Sequence, residues 1–218
     1  MTMEYVSTRG NDQKLTGAAA ILAGIAEDGG LFVPTEIPKV APEFTASLAE
    51  LAYQKRAARI LGLFLDDYGT EELRGCIDRA YGGGKFDDPA VAPLRLLGEM
   101  GMLELWHGPT SAFKDMALQL LPQLLSRALQ KTGEKSEVLI LAATSGDTGK
   151  AALAGFCDVP QTKIMVFYPA GGVSRMQWLQ MVTQAGANVA VMAVKGNFDD
   201  AQRGVKEIFG DAALREKL

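Results

Sequence analysis

Histidine and cysteine are nearly missing from this sequence, which holds one of the first (His107) and two of the second (Cys76 and Cys157). That is too few for a disulfide framework, so a reduced, cytoplasmic compartment is expected. Nor can His107 and two cysteines alone build a zinc site of the usual Cys/His kind, and no metal is expected. Basic charge is also in short supply: 22 Lys and Arg stand against 26 Asp and Glu, a net charge of −4. Neutralising a phosphate backbone needs clustered Lys and Arg, so a nucleic-acid partner is not expected. No apolar run reaches the ~18 residues of a membrane span, so no membrane association is expected. The segment Gly17 to Ala26 resembles a signal-peptide core, but Glu4 and Asp12 spoil the positive leader. A short buried helix is the better reading.

What is present suits a globular α/β protein. The 218 residues, 48% hydrophobic and 22% charged, are enough for one or two domains with a real core. The first part reads as helical. Thr16 can cap a helix running to about Glu27; Leu31 to Val33 reads as extended; Thr45 can cap a helix running to about Phe64; Thr70 with Glu71 and Glu72 opens a third. The run Gly82-Gly83-Gly84 marks a boundary between a domain over 1–84 and a region over 85–218. Beyond it, strands at about 103–106, 138–142, 163–168 and 188–194 alternate with helices at 114–131, 149–157, 174–184 and 199–209. Pro122 should kink the first of these helices. Such alternation implies a parallel sheet with right-handed crossovers.

Two loops draw attention. The first is Ala143 to Gly149 (ATSGDTG), between a strand and a helix. In open α/β sheets ligands bind beyond the carboxyl ends of the strands, and helix N-termini favour anions. Thr144, Ser145 and Thr148 offer hydroxyls there, and Gly146 and Gly149 allow close backbone approach. A P-loop is rejected, because Thr144 stands in place of its first glycine and Ala151 in place of the Ser or Thr that holds magnesium. A dinucleotide fingerprint fails at Thr144 as well, and no acidic residue closes the next strand at Tyr168. A capped turn with no ligand would use the same residue types.

The second is His107 to Asp115 (HGPTSAFKD). Lys114 stands where a helix should begin, and there the dipole and burial both favour a neutral amine. A neutral amine is what condensation with an aldehyde requires. The plainer alternative is an exposed lysine paired with Asp115. His107 reads as a satisfied structural histidine.

HGPTSAFKD, followed after a helix and a strand by ATSGDTG, resembles the threonine synthases of the bacterial and fungal type. Tyr5 to Gly10 (YVSTRG), Asp28 to Pro34 (DGGLFVP) and Lys195 to Ala201 (KGNFDDA) resemble the same family, so the likeness runs from Tyr5 to about Asp211. It implies a helical N-terminal domain followed by part of a parallel α/β sheet domain of the fold type II pyridoxal-phosphate enzymes. It implies pyridoxal 5′-phosphate as cofactor, held by Lys114 with Phe113 packed beside it. Asp147 stands near the cofactor hydroxyl, where many relatives carry Asn. Thr144, Ser145, Gly146 and Thr148 match the loop that binds the substrate's polar groups. The implied activity is that of a phosphate-eliminating carbon–oxygen lyase, converting O-phospho-L-homoserine and water to L-threonine and phosphate.

By the same resemblance, family members continue well past Leu218. The continuation carries the Ser/Gly loop for the cofactor phosphate, the hydroxyl beneath the pyridine nitrogen, and the Asn, Ser and Arg residues that grip the substrate phosphate. Gly171-Gly172 does not match that cofactor-phosphate loop. The chain alone is therefore expected to be an incomplete enzyme, and the alternative is a non-catalytic binding module that reuses the fold. A sheet left with uncovered edges predicts self-association.

Overall fold

The computed structural model describes residues 2–211, which form two compact units: one made of 2–93 and 123–135, the other of 94–122 and 136–211.

The first unit begins with two short antiparallel strands, β1 (Tyr5–Ser7) and β2 (Phe32–Pro34). Asp28 ties them together. Its carboxylate accepts from Ser7 Oγ at 2.7 and 2.9 Å, from the Gly30 N–H at 2.8 Å and from the Asn11 N–H at 3.2 Å. Those bonds, the Ser7 hydroxyl first, hold it below the usual carboxylate range. YVSTRG and DGGLFVP thus make one structural knot. Thr16 caps α1 (Gly17–Ala23) as read, but the helix stops four residues short of Glu27, because Gly24 turns to φ +68°.

The expected helix from Thr45 to Phe64 is two helices. Pro42 stands in the first turn of α2 (Pro42–Ala46), which places Thr45 inside the helix and not at its cap, and α3 (Tyr53–Leu61) starts afresh after Ala52. The third reading holds: α4 (Thr70–Tyr81) opens with Glu72 accepting the Gly69 N–H at 2.9 Å and ends at Gly82. Its buried Leu73, Cys76, Ile77 and Ala80 share the core of this unit with Leu124, Leu125, Ala128 and Leu129 of α6 (Leu121–Thr132, numbered in chain order after β3, β4 and α5 below). Polar bonds fasten the two helices. Cys76 Sγ donates to the Gln123 carbonyl at 3.4 Å, Arg79 Nε to Gln123 Oε1 at 2.7 Å, and Glu72 pairs with Arg127 and with Lys131 at 3.0 Å.

The second unit opens with an antiparallel hairpin, β3 (Leu94–Leu97) and β4 (Met100–Leu103), turning at Gly98. The strand expected at 103–106 is thus displaced: the ladder ends at Leu103, and Glu104 to His107 is irregular. The helix expected from Lys114 to Lys131 is interrupted at Gln119 and Leu120, leaving the single turn α5 (Asp115–Leu118) before α6. Pro122 is accommodated in the first turn of α6, where its missing N–H has no helical partner to lose.

The expected parallel sheet follows: β5 (Val138–Ala143), β6 (Thr162–Pro169) and β7 (Val189–Val194), in the order β5-β6-β7. Between the strands come α7 (Asp147–Phe156) and α8 (Arg175–Val182), and after them α9 (Phe198–Gly210). Ile164 and Val166 of β6 are buried, as are Ala151, Leu153 and Phe156 of α7, which packs on that strand. Because the strands are parallel, the loops before α7, α8 and α9 leave from the same end of the sheet. Ser174 caps α8 with Gln177 reaching back, and Asn197 caps α9 with Asp200 reaching back. The KGNFDDA segment therefore contains a helix cap. Among the described residues no helix is long and apolar enough to cross a membrane.

Candidate active site

The loop at the carboxyl end of β5 is shaped by its own residues. Thr144 is 1% exposed, and its Oγ1 accepts the N–H of Gly146 at 3.0 Å and of Gly149 at 2.9 Å. That hydroxyl holds the turn and starts α7. Gly146 sits at φ +145°, a conformation that residues with a side chain rarely adopt, and a Cβ on it would stand 2.4 Å from the side-chain amide of Gln177, which would have to move. Ser145, Asp147 and Thr148 are exposed.

The second loop brings Lys114 to the start of α5. Its side chain is half-buried and its Nζ lies 5.0 Å from the centre of the exposed Phe113 ring. The alternative pairing with Asp115 does not form. Asp115 is 0% exposed and accepts from Thr110 N–H and Oγ1, both at 2.8 Å. Burial pushes its carboxyl up, against the pull of those Thr110 bonds. Ser111 adopts φ +56° in the turn between them. Among the described residues Lys114 Nζ makes no hydrogen bond or ion pair. The dipole argument has less behind it than the sequence implied, since α5 is one turn of four residues. His107 lies against Glu104 Oε2 at 2.8 Å and beside the Trp106 ring, in line with the structural reading.

Helices α5 and α7 cross in contact, so the lysine-bearing turn and the helix that follows the glycine loop share one support. The structure also adds residues the motifs did not point to. Lys150 of α7 is buried, with its Nζ 3.2 Å from Asp147 Oδ1, and its charge acts on Asp115. Gln177 Nε2 donates to the same Asp147 oxygen at 2.9 Å. These two groups, the Gln177 amide first, hold Asp147 below the usual carboxylate range. A lysine among Gly149, Ala151, Ala152 and Leu153 was the available signal for Lys150, because a cation inside an apolar helix run is uncommon. Gln177 had no signal beyond its place in a helix cap.

The architecture is that of the fold type II pyridoxal-phosphate enzymes. It superposes on the pyridoxal-phosphate-bound threonine synthase from Brucella melitensis with a TM-score of 0.90 and 39% identity, covering 97% of this chain and 45% of that one. The sequence is 44% identical to threonine synthase of Pseudomonas aeruginosa over 211 residues, which is 96% of this chain and 44% of that protein. It is 38% identical to threonine synthase of Schizosaccharomyces pombe over 224 residues, 99% of this chain and 43% of that protein. Residues 4–81 match the family model for the threonine synthase N terminus. The chain is thus similar to threonine synthases over nearly its whole length. It spans less than half the length of the relatives it matches.

Proposed function

We propose that this chain is the N-terminal portion of a pyridoxal 5′-phosphate-dependent threonine synthase, a phosphate-eliminating lyase that converts O-phospho-L-homoserine and water to L-threonine and phosphate. The observation that carries the reading is the state of Lys114: half-buried, beside an exposed aromatic ring, with its amine unpaired among the described residues while Asp115 is buried on Thr110. An amine engaged by no acidic partner is available to condense with an aldehyde. The residues present therefore fit the cofactor.

Lys114 would hold the cofactor, Phe113 would pack beside it, and Asp147 would stand near its hydroxyl. When bound, the cofactor supplies an electron sink for the pair left at the substrate Cα. With the cofactor in place, the Lys114 amine would take the substrate's Cα proton and return protons at neighbouring carbons. The net reaction would release phosphate from Cγ and add water at Cβ. The loop from Thr144 to Thr148 receives the substrate's polar groups: Ser145 and Thr148 through exposed hydroxyls, Gly146 through its backbone, and Thr144 by holding the turn. The division into a domain over 1–84 and the first part of a catalytic region over 85–218 is supported by the N-terminal family match at 4–81, with α6 as the later segment that packs back into the first. Scarce cysteine supports a cytoplasmic location.

The test is to incubate the protein with pyridoxal phosphate, reduce with borohydride and map the adduct by mass spectrometry, with Lys114→Ala alongside. A single adduct on Lys114, lost in the variant, is expected. Diffuse labelling unchanged in the variant would mean that this chain forms no cofactor site, as a non-catalytic module would.

A further inference from the structure

Lys150 is a charge that the proposed reaction leaves unused. It lies in the first turns of α7, where the helix N-terminus disfavours a cation, and its side chain is 9% exposed. A buried ammonium is costly unless it is paired. Two carboxylates answer it, and they differ. Asp115 is enclosed and already carried by Thr110. Asp147 has a side chain 51% exposed, and its two donors, Lys150 Nζ and Gln177 Nε2, converge on the same oxygen, Oδ1. Oδ2 accepts no hydrogen bond among the described residues. Gln177 cannot turn its amide freely, because its Oε1 accepts the Ser174 N–H at 3.1 Å, and the missing Cβ of Gly146 gives it room. The carboxylate is thus gripped on one oxygen by a fixed amide from α8 and a buried cation from α7.

We infer that Lys150 is a positioning residue that neutralises and orients Asp147, so that Lys150 and Asp147 together present to the cofactor what one asparagine would: an oriented oxygen acceptor with no net charge. The inference rests on the cofactor reading of Lys114. A lone carboxylate beside the anionic ring oxygen of pyridoxal phosphate would repel it. The ammonium 3.2 Å away removes that net charge without itself lying on the exposed side of the loop.

A double-substitution cycle in the protein at its natural length tests this: Lys150→Met, Asp147→Asn, and both together. Cofactor affinity and absorption band are read by titration with pyridoxal phosphate, and the adduct at Lys114 is mapped as a control. Lys150→Met is expected to weaken cofactor binding about tenfold or more and to move the band, and adding Asp147→Asn to recover most of the loss. Should Lys150→Met fail to fold while the pair folds, the unneutralised carboxylate is again identified as the fault. A pair no better than Lys150→Met alone, or a pair that also fails to fold, would reduce Lys150 to packing and overturn the inference. So would unchanged affinity in Lys150→Met. A parent protein with no adduct on Lys114 would overturn the cofactor reading and this inference with it, whereas a normal adduct with a flat cycle overturns this inference only.

Discussion

Gly155 of α7 lies so close to the carbonyl oxygen of Leu118, the last residue of α5, that a Cβ on Gly155 would stand 1.9 Å from it. The obstacle is backbone, which cannot swing aside as a side chain can. Gly155→Ala must therefore push α5 and α7 apart, and overpacking of this kind costs about 1–3 kcal/mol, occasionally more. The melting temperature is expected to fall by several degrees, and trapping of pyridoxal phosphate on Lys114 to weaken, because that residue begins at α5. Thermal unfolding checks the first and adduct mass spectrometry the second. An unchanged melting point would contradict the crossing.

Acid should loosen the first unit through Glu72. Its carboxyl is lowered from the usual 4.5 to about 2, first by the hydrogen bond from Arg127, then by the Gly69 N–H and by Lys131. A carboxyl lowered in the folded state adds stability above its unfolded value, and that stability is lost as pH falls through the folded value. The loss from this group is therefore expected between pH about 4.5 and about 2. Glu72→Gln should lower the urea midpoint at pH 7, and the gap to the parent should close as pH approaches 2. A gap that stays constant with pH would show that the charge is not what matters.

The hairpin predicts how the 218-residue chain behaves alone. Leu94, Leu96 and Met100 are 62%, 74% and 71% exposed, on two short strands with no further strand beside them among the described residues. Exposed apolar side chains on open strand edges favour pairing with another chain. Concentration-dependent association is expected in sedimentation, and Leu96→Lys with Met100→Lys should reduce it. A clean monomer with cooperative unfolding in the parent would count against this.

Much of the fold was legible because local chemistry agreed with the final packing. The caps at Ser174 and the reach of Glu72 to Gly69 are short-range bonds between residues three apart, and α8 and α4 start where such bonds place them. The strands β5 and β6 are apolar runs closed by a loop or proline. The misses have equally specific causes. β1 is three residues long and pairs with a partner across about 25 residues of intervening chain, which no local pattern records. The hairpin strands LRLL and MGML are exposed throughout, so they carry no alternation of apolar and polar positions. Thr45 is a good capping residue that Pro42 pre-empts.

Of the site, Lys114 and the ATSGDTG loop could be read because each is contiguous. The bonds that hold Asp147 and Asp115 could not. Gln177 stands thirty positions from Asp147 and meets it only because β5 and β6 run in parallel and open at one end. Lys150 touches Asp147 within one helix but reaches Asp115 electrostatically only because α5 is laid on α7.

Helix α6 follows α5 in the chain yet completes the core around α4, after which the chain returns to the sheet. The polypeptide thus threads one unit, the other, the first and the other again. A protease cutting in the glycine run at 82–84 would sever a peptide bond without releasing a self-sufficient piece, since α4 would still lean on a helix encoded some forty residues downstream. The first unit cannot be finished on the ribosome before residues 94–122 of the second have been made, and the second cannot be finished before all of the first. Their folding is interleaved in time by the order of the chain, and a deletion or splice meant to isolate the N-terminal unit has to carry α6 with it.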